Sequence, residues 1–189
     1  GHALALIYTL DHPDMVGLNP EVAHDTISGL DFTHGVAQAI EAGKLFHIDL
    51  NAQKPGRYDQ DHRFGSEDVK QSFFLVKLLE DSKYAGMKHF DSHAYRTEDE
   101  AGVWDFAAGS MRTYLIFKEK VAEFHADTEI AQLLAALNAR GAAPGQRITY
   151  AQDAQAIKDE KFDLPALRAQ GYAYERLDQL TMEILLGAR

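Results

Sequence analysis

Three short apolar runs in this chain each lead into an acid. Met15-Val16-Gly17-Leu18 precedes Glu21, Leu45-Phe46-His47-Ile48 precedes Asp49, and Met87-Lys88-His89-Phe90 precedes Asp91. Short, nearly continuous apolar runs bounded by turn formers read as strands covered on both faces. Helical periodicity follows each run, so strand, loop and helix recur three times, the order of a parallel sheet. Carboxylates at the same ends of neighbouring strands would share one rim, where such folds gather their chemistry.

Strands are expected over 15–19, 44–50 and 87–91. A helix is expected over 33–42, with Thr33 as its cap and Gly43 just past its end. A second runs from a Ser66 cap to about Asp81 with Val69, Phe73 and Val76 on its buried stripe, and a third spans 102–125. Leu4, Leu6, Ile7 and Leu10 fall at helical spacing before Asp11-His12-Pro13-Asp14 stops them, as in the tail of a helix whose beginning is missing. The expected fold class is α/β. Residues 1–126 would form the last three strands and helices of a (β/α)₈ barrel, since a complete barrel takes about 250 residues. A doubly wound sheet places its ligands at the same strand ends and is the alternative. Residues 127–189 show helical segments only: an alanine- and leucine-rich stretch to Arg140, a linker at Gly141-Ala142-Ala143-Pro144-Gly145, and a final helix over 172–186 with Tyr174, Leu177, Leu180 and Leu185 on one flank. Such an arm must pack on something, and a neighbouring subunit is favoured over its own barrel.

Composition narrows the partners. A net charge of −10 over 189 residues sets long-range repulsion against a nucleic-acid partner. The chain has no cysteine, which excludes disulfides and thiolate metal sites. No apolar stretch approaches the roughly 20 residues of a membrane span, and the first residues lack the features of a signal peptide. Cytoplasm is the default expectation.

The residues that carry chemistry are acids. In Asn19-Pro20-Glu21-Val22-Ala23-His24, a carboxylate and an imidazole three apart share one face of a helical turn. Asp59-Gln60-Asp61 is expected to present two carboxylates on one side of an extended segment. Asp49, between Ile48 and Leu50, either faces an open rim or is a costly buried charge, and Asp91 repeats the arrangement after Phe90. Five carboxylates with one imidazole suit Mg²⁺, with Mn²⁺ or Co²⁺ as alternatives, better than a structural zinc. Glu21 is placed to bridge two ions. His47 and His89 read as packed core residues, His2, His12, His62 and His125 as surface residues, and His34 as a first-turn residue. Trp104 and Phe106 read as core packing.

The segments GLNPEVAH, AGKLFHIDLN, RYDQDHRFG, KHFDSHAYRTED and YERLDQLTMEILLGAR together resemble the C-terminal half of xylose isomerase of the shorter bacterial class. The resemblance implies a (β/α)₈ barrel with a helical arm that embraces other subunits of a tetramer. It implies interconversion of D-xylose with D-xylulose, and D-glucose with D-fructose, by a hydride shift assisted by two divalent cations. Glu21 would bridge both ions. Asp49 and Asp91 would ligate the ion that holds the sugar, and His24, Asp59 and Asp61 the second. Asn51 would support the metals, and His93, where many members carry lysine, would lie on the substrate side. The family's further glutamate ligand, its neighbouring lysine, a sugar-ring histidine and pocket tryptophans have no counterpart here. No catalytic residue beyond the metal ligands is therefore expected in this chain, which would need the N-terminal half of the barrel as partner. Two other readings compete: a non-catalytic piece that binds divalent metal and oligomerises, and a barrel phosphodiesterase, which the negative charge disfavours.

Overall fold

The computed structural model describes residues 1–140 and 149–189, so the linker expected at 141–145 lies outside the described residues. The chain divides into two compact units, Gly1–Ala122 and Glu123–Arg189.

In the first unit the sheet is small and parallel. Strand β1 (His47–Asp49) pairs with β2 (Met87–His89) in the register His47 to Met87, Ile48 to Lys88 and Asp49 to His89. The strand expected over 15–19 is instead an extended segment bridged to this sheet at Leu18–Leu45 and Glu21–Asp49. Pro13 starts a 3-10 turn that runs to Met15, and Pro20 has no N–H to donate. The ladder is therefore carried by a few bonds: Leu18 N–H to the Lys44 carbonyl at 2.7 Å, Phe46 N–H to Leu18 at 3.1 Å and Asp49 N–H to Pro20 at 3.0 Å. Lys44, almost wholly buried, adds a tie from its ammonium to the Pro13 carbonyl.

Helices α1 (His2–Ile7), α2 (Val22–Ile27) and α3 (Phe32–Glu41) precede β1 in the chain, and α4 (Val69–Asp81) lies between β1 and β2. Two caps differ from expectation. Asp31, not Thr33, accepts from the His34 N–H at 2.9 Å, and Asp68, not Ser66, accepts from Gln71 N–H at 3.0 Å. In each case the nearest side-chain oxygen ahead of the first turn wins, because an aspartate reaches the N3 donor directly. Gly43 takes the left-handed conformation (φ 63°) that ends α3. The core faces are Phe32, Val36 and Ala39 on α3, and Phe73, Leu75, Val76 and Leu79 on α4, beneath Ile48 and Leu50. Each large apolar side chain so buried contributes about 1.5–3 kcal/mol. Val69 is half exposed because burial on α4 begins one turn later, at Ser72 and Phe73.

Helix α5 (Glu100–Ala126) starts at Asp99, whose carboxylate accepts from Gly102 N–H at 2.9 Å. In the first unit its buried positions Ser110, Phe117 and Val121 form one stripe, and Trp104 lies off it, 69% exposed rather than in the core. Phe64 is fully buried among the rings of Phe90, Tyr114 and Phe117, with centroids 6.0–6.3 Å away. This aromatic cluster pins the 51–65 loop. Gly65 completes the contact: with φ 75°, any Cβ there would stand 2.7 Å from Thr113 Cγ2 and 2.8 Å from Phe117 Cε2.

The second unit is helical: α6 (Thr128–Arg140), α7 (Tyr150–Asp159), α8 (Leu164–Ala169) and α9 (Tyr174–Leu185). Helix α9 buries Leu180, Thr181 and Ile184, whereas Tyr174 is exposed. The buried stripe therefore includes Leu180 of the expected flank, with Leu177 and Leu185 half-buried, and leaves Tyr174 outside it. Among the described residues no helix is long and apolar enough to cross a membrane.

Candidate functional site

The end of β1 sets the site. Its last residue, Asp49, is buried, and Leu50 N–H donates to the His89 carbonyl at 2.7 Å, which carries the paired chains one step further. Asn51 follows, fully buried, and its side chain gathers three separate segments. Its amide nitrogen donates to Glu21 Oε1 at 2.7 Å and the Asp91 carbonyl at 2.9 Å, with Asp61 Oδ1 at 3.2 Å sharing the same two protons. Its oxygen accepts from Ala23 N–H at 2.8 Å, in the first turn of α2. Every polar atom of a buried amide is thus used. Sequence reasoning gave Asn51 only a supporting part. The signal was the alternation His47-x-Asp49-x-Asn51, which puts all three on one face of an extended chain.

Glu21 is the residue before α2, bridged in parallel to Asp49. Its Oε2 lies 3.1 Å from His24 Nδ1, and His24 Nε2 lies 3.3 Å from Asp59 Oδ1. The i, i+3 spacing of Glu21 and His24 therefore gives the shared face expected of it. Asp59 and Asp61 arrive differently from expectation. Both have left-handed backbones, φ 41° and 42°, so the segment is not extended. Such conformations are costly for residues other than glycine and persist where surroundings impose them. Buried Gln53 imposes this one: its oxygen accepts from Gln60 N–H at 2.8 Å, and its amide donates to the Lys54 and Arg57 carbonyls at 3.0 and 2.9 Å.

Asp49 is held at both oxygens. Asn19 Nδ2 donates to Oδ2 at 2.7 Å, and His47 Nε2 meets Oδ1 at 3.0 Å. His89 is exposed rather than packed in a core, and its ring stands edge-on to that of His47 with centroids 4.4 Å apart. His93 does not join the acids through its side chain. Its backbone N–H donates to the Asp61 carbonyl at 3.1 Å, while its ring Nδ1 lies 2.8 Å from the Ala94 carbonyl. Its ring lines a cavity of about 240 Å³ beside His62, Tyr95 and Glu98.

One ligand atom each from Glu21, Asp49 and Asp91 lies within 4.8 Å of the others. Burial pushes the Glu21 carboxyl above the usual carboxylate range; the Asn51 bond and His24 pull it down, and the charges of Asp61 and Asp91 add to the rise. Among the described residues, the side chains bonded to Glu21, Asp49, Asp59 and Asp61 are amides and imidazoles, with neither lysine nor arginine. Such a collection of anionic oxygens is chemically suited to hard cations.

No protein-family model matches the chain. It is 56% identical over 191 aligned residues to the xylose isomerase of Thermus thermophilus and equally to that of Thermus caldophilus, in both cases covering 100% of this chain and 49% of the relative. Identity to the xylose isomerase of Streptomyces lividans is 50% over 193 residues, with 48% of that relative covered. The chain is thus related along its whole length to xylose isomerases, and it spans about half the length of the curated relatives it matches.

Proposed function

We propose that this chain is the C-terminal, metal-binding part of an aldose–ketose isomerase acting on D-xylose and D-glucose. One observation carries the reading: fully buried Asn51 draws Glu21, Asp61 and the Asp91 backbone to the end of β1, beside Asp49. The donor set fits divalent cations. Its carboxylates are gathered without lysine or arginine, and a half-buried glutamate raised in pKa by its surroundings gains from a positive charge. Glu21, Asp49 and Asp91 would hold one ion, and His24, Asp59 and Asp61 would hold a second, with Glu21 shared. Magnesium is the first choice, with manganese or cobalt as alternatives. Bound ions would supply Lewis-acid stabilisation for the negative charge that builds on sugar oxygen as hydride passes between adjacent carbons.

The chain's own residues have narrower tasks. Asn51 sets the spacing of Glu21 and Asp61, Asn19 and His47 orient Asp49, and Gln53 holds Asp59 and Asp61 in their left-handed turns. The remaining parts of the reading are a partial barrel over 1–126, completed by an N-terminal half, and an arm over 127–189 for subunit association in a cytoplasmic tetramer. A second reading is a cation-binding module without turnover, which the donor cluster of Glu21, Asp49 and Asp91 alone would satisfy.

The test is complementation. Refolded with the N-terminal half of the Thermus thermophilus relative in Mg²⁺, the chain should give D-xylulose from D-xylose, and Asp49→Asn should give none. Cation-dependent stabilisation without ketose, at any metal concentration, would leave the second reading standing alone.

A further inference from the structure

A second group of ligand-capable atoms lies one layer below the acids, on the same face of the sheet. His47 and Asp49 are i and i+2 on β1, and Asp49 is the register partner of His89 on β2. In a parallel pair, register partners and alternate residues point to one side. The opposite face carries Ile48, which is fully buried. The structure bears this out: one ligand atom each from His47, Asp49 and His89 falls within 4.8 Å of the others. His47 is partly accessible and His89 exposed.

We propose that His47, Asp49 and His89 form a second site, sharing Asp49 with the first, for a borderline transition-metal dication such as Zn²⁺. It goes beyond the isomerase reading and does not depend on it. The ligand chemistry separates the two layers. Imidazoles suit zinc, copper and nickel, whereas the all-carboxylate group of Glu21, Asp49 and Asp91 suits magnesium and calcium. The geometry also fits. Ligands about 2.0–2.1 Å from a tetrahedral zinc stand about 3.3 Å from one another. His47 Nε2 and Asp49 Oδ1 are already 3.0 Å apart, so side-chain rotation at exposed His89 is the main adjustment. Two imidazoles and a carboxylate leave the fourth position to water. Coordination through the His47 Nε2 lone pair requires the neutral tautomer that carries its proton on Nδ1. Because Asp49 belongs to both layers, zinc below and magnesium above would compete for it.

Zinc chloride titrated into the chain by calorimetry, against a competing chromophoric chelator, tests this directly. Wild type should bind one Zn²⁺ that both His89→Gln and His47→Gln weaken about 10-fold or more. Glu21→Gln should keep that Zn²⁺ site. His89→Gln should keep its Mg²⁺-dependent thermal stabilisation, which also shows that the variant is folded. Zinc affinity unchanged in both histidine variants would overturn the proposal, as would zinc binding lost in Glu21→Gln and kept in His89→Gln. Loss of the Mg²⁺ response with the zinc site intact would instead count against the isomerase reading alone.

Discussion

Two groups of carboxylates in this chain, one in each unit, are treated in opposite ways. In the second, Asp127 and Glu129 at the start of α6 sit against arginines. Arg176 donates to both oxygens of Glu129 at 2.7 and 3.0 Å, and Arg189 reaches Asp127, Glu129 and Glu183. The Arg189 bond holds the Asp127 carboxyl below its ordinary range, and Arg176 does the same for Glu129. In the first unit, Glu21, Asp49, Asp61 and Asp91 are brought together by amides and imidazoles, and the Glu21 carboxyl is pushed up by burial. Acids that serve structure carry their counter-charges in the chain. Acids assembled without them mark a place where positive charge comes from elsewhere.

The contrast can be broken at its support. Phe64→Ala removes the ring that anchors the 51–65 loop between Phe90, Tyr114 and Phe117. A loss of about 3–5 kcal/mol in urea unfolding is expected, with the Mg²⁺ response falling alongside it as Asp59 and Asp61 lose their platform. A loss under about 1 kcal/mol would show that the loop is held by other contacts.

Glu21→Gln sharpens the contrast from the other side. The amide oxygen can still accept from Asn51, while the half-buried charge disappears. Divalent-cation affinity should fall about 100-fold, close to 2.7 kcal/mol of linked stabilisation, yet the metal-free chain should melt no earlier than wild type. A lower melting temperature without metal would mean that Glu21 serves structure as Asp127 does.

Asn51→Ala comes next. It strips the bonds to Glu21, Asp61, Asp91 and Ala23 and leaves buried groups unsatisfied, an expected cost of about 1–3 kcal/mol. Cation affinity should drop 10- to 100-fold as well, since the groups that orient ligands matter nearly as much as the ligands.

The smallest effect belongs to the second unit. Carboxylates whose folded pKa is depressed stabilise the fold above their unfolded value, roughly 4, and that contribution disappears as the pH drops through the folded value. The melting temperature should therefore fall slightly on acidification below about pH 4, less so in Arg189→Ala and less at high salt, because these groups are exposed. An unchanged profile in Arg189→Ala would remove the arginines from the account.

Much of the first unit was legible because parallel strands and their crossover helices print a strong pattern: β1, α4, β2 and α5 fall where periodicity and turn formers put them. What escaped depended on partners distant in sequence. The 15–19 segment lost strand status to Pro13 and Pro20, and its pairing survives only as bridges to β1. Trp104 looks like core until the stripe Ser110, Phe117 and Val121 shows which face of α5 is covered. The acids could be singled out one at a time, but their convergence depends on Asn51, whose reach to three segments no local pattern displays. The left-handed turns at Asp59 and Asp61 likewise come from Gln53, six and eight residues earlier. His89 was misjudged because its neighbours lie across the sheet: Asp49 in register with it and the His47 ring diagonal to it.

The central claim is that the acids at the end of β1 form a seat for divalent cations. Titrating Mn²⁺ into the chain, with free Mn²⁺ counted by electron paramagnetic resonance, tests it most directly. Saturable binding that Glu21→Gln and Asp49→Asn each weaken about 100-fold is the expected result. Equal uptake by wild type and both variants, or no saturable uptake at millimolar metal, would contradict it.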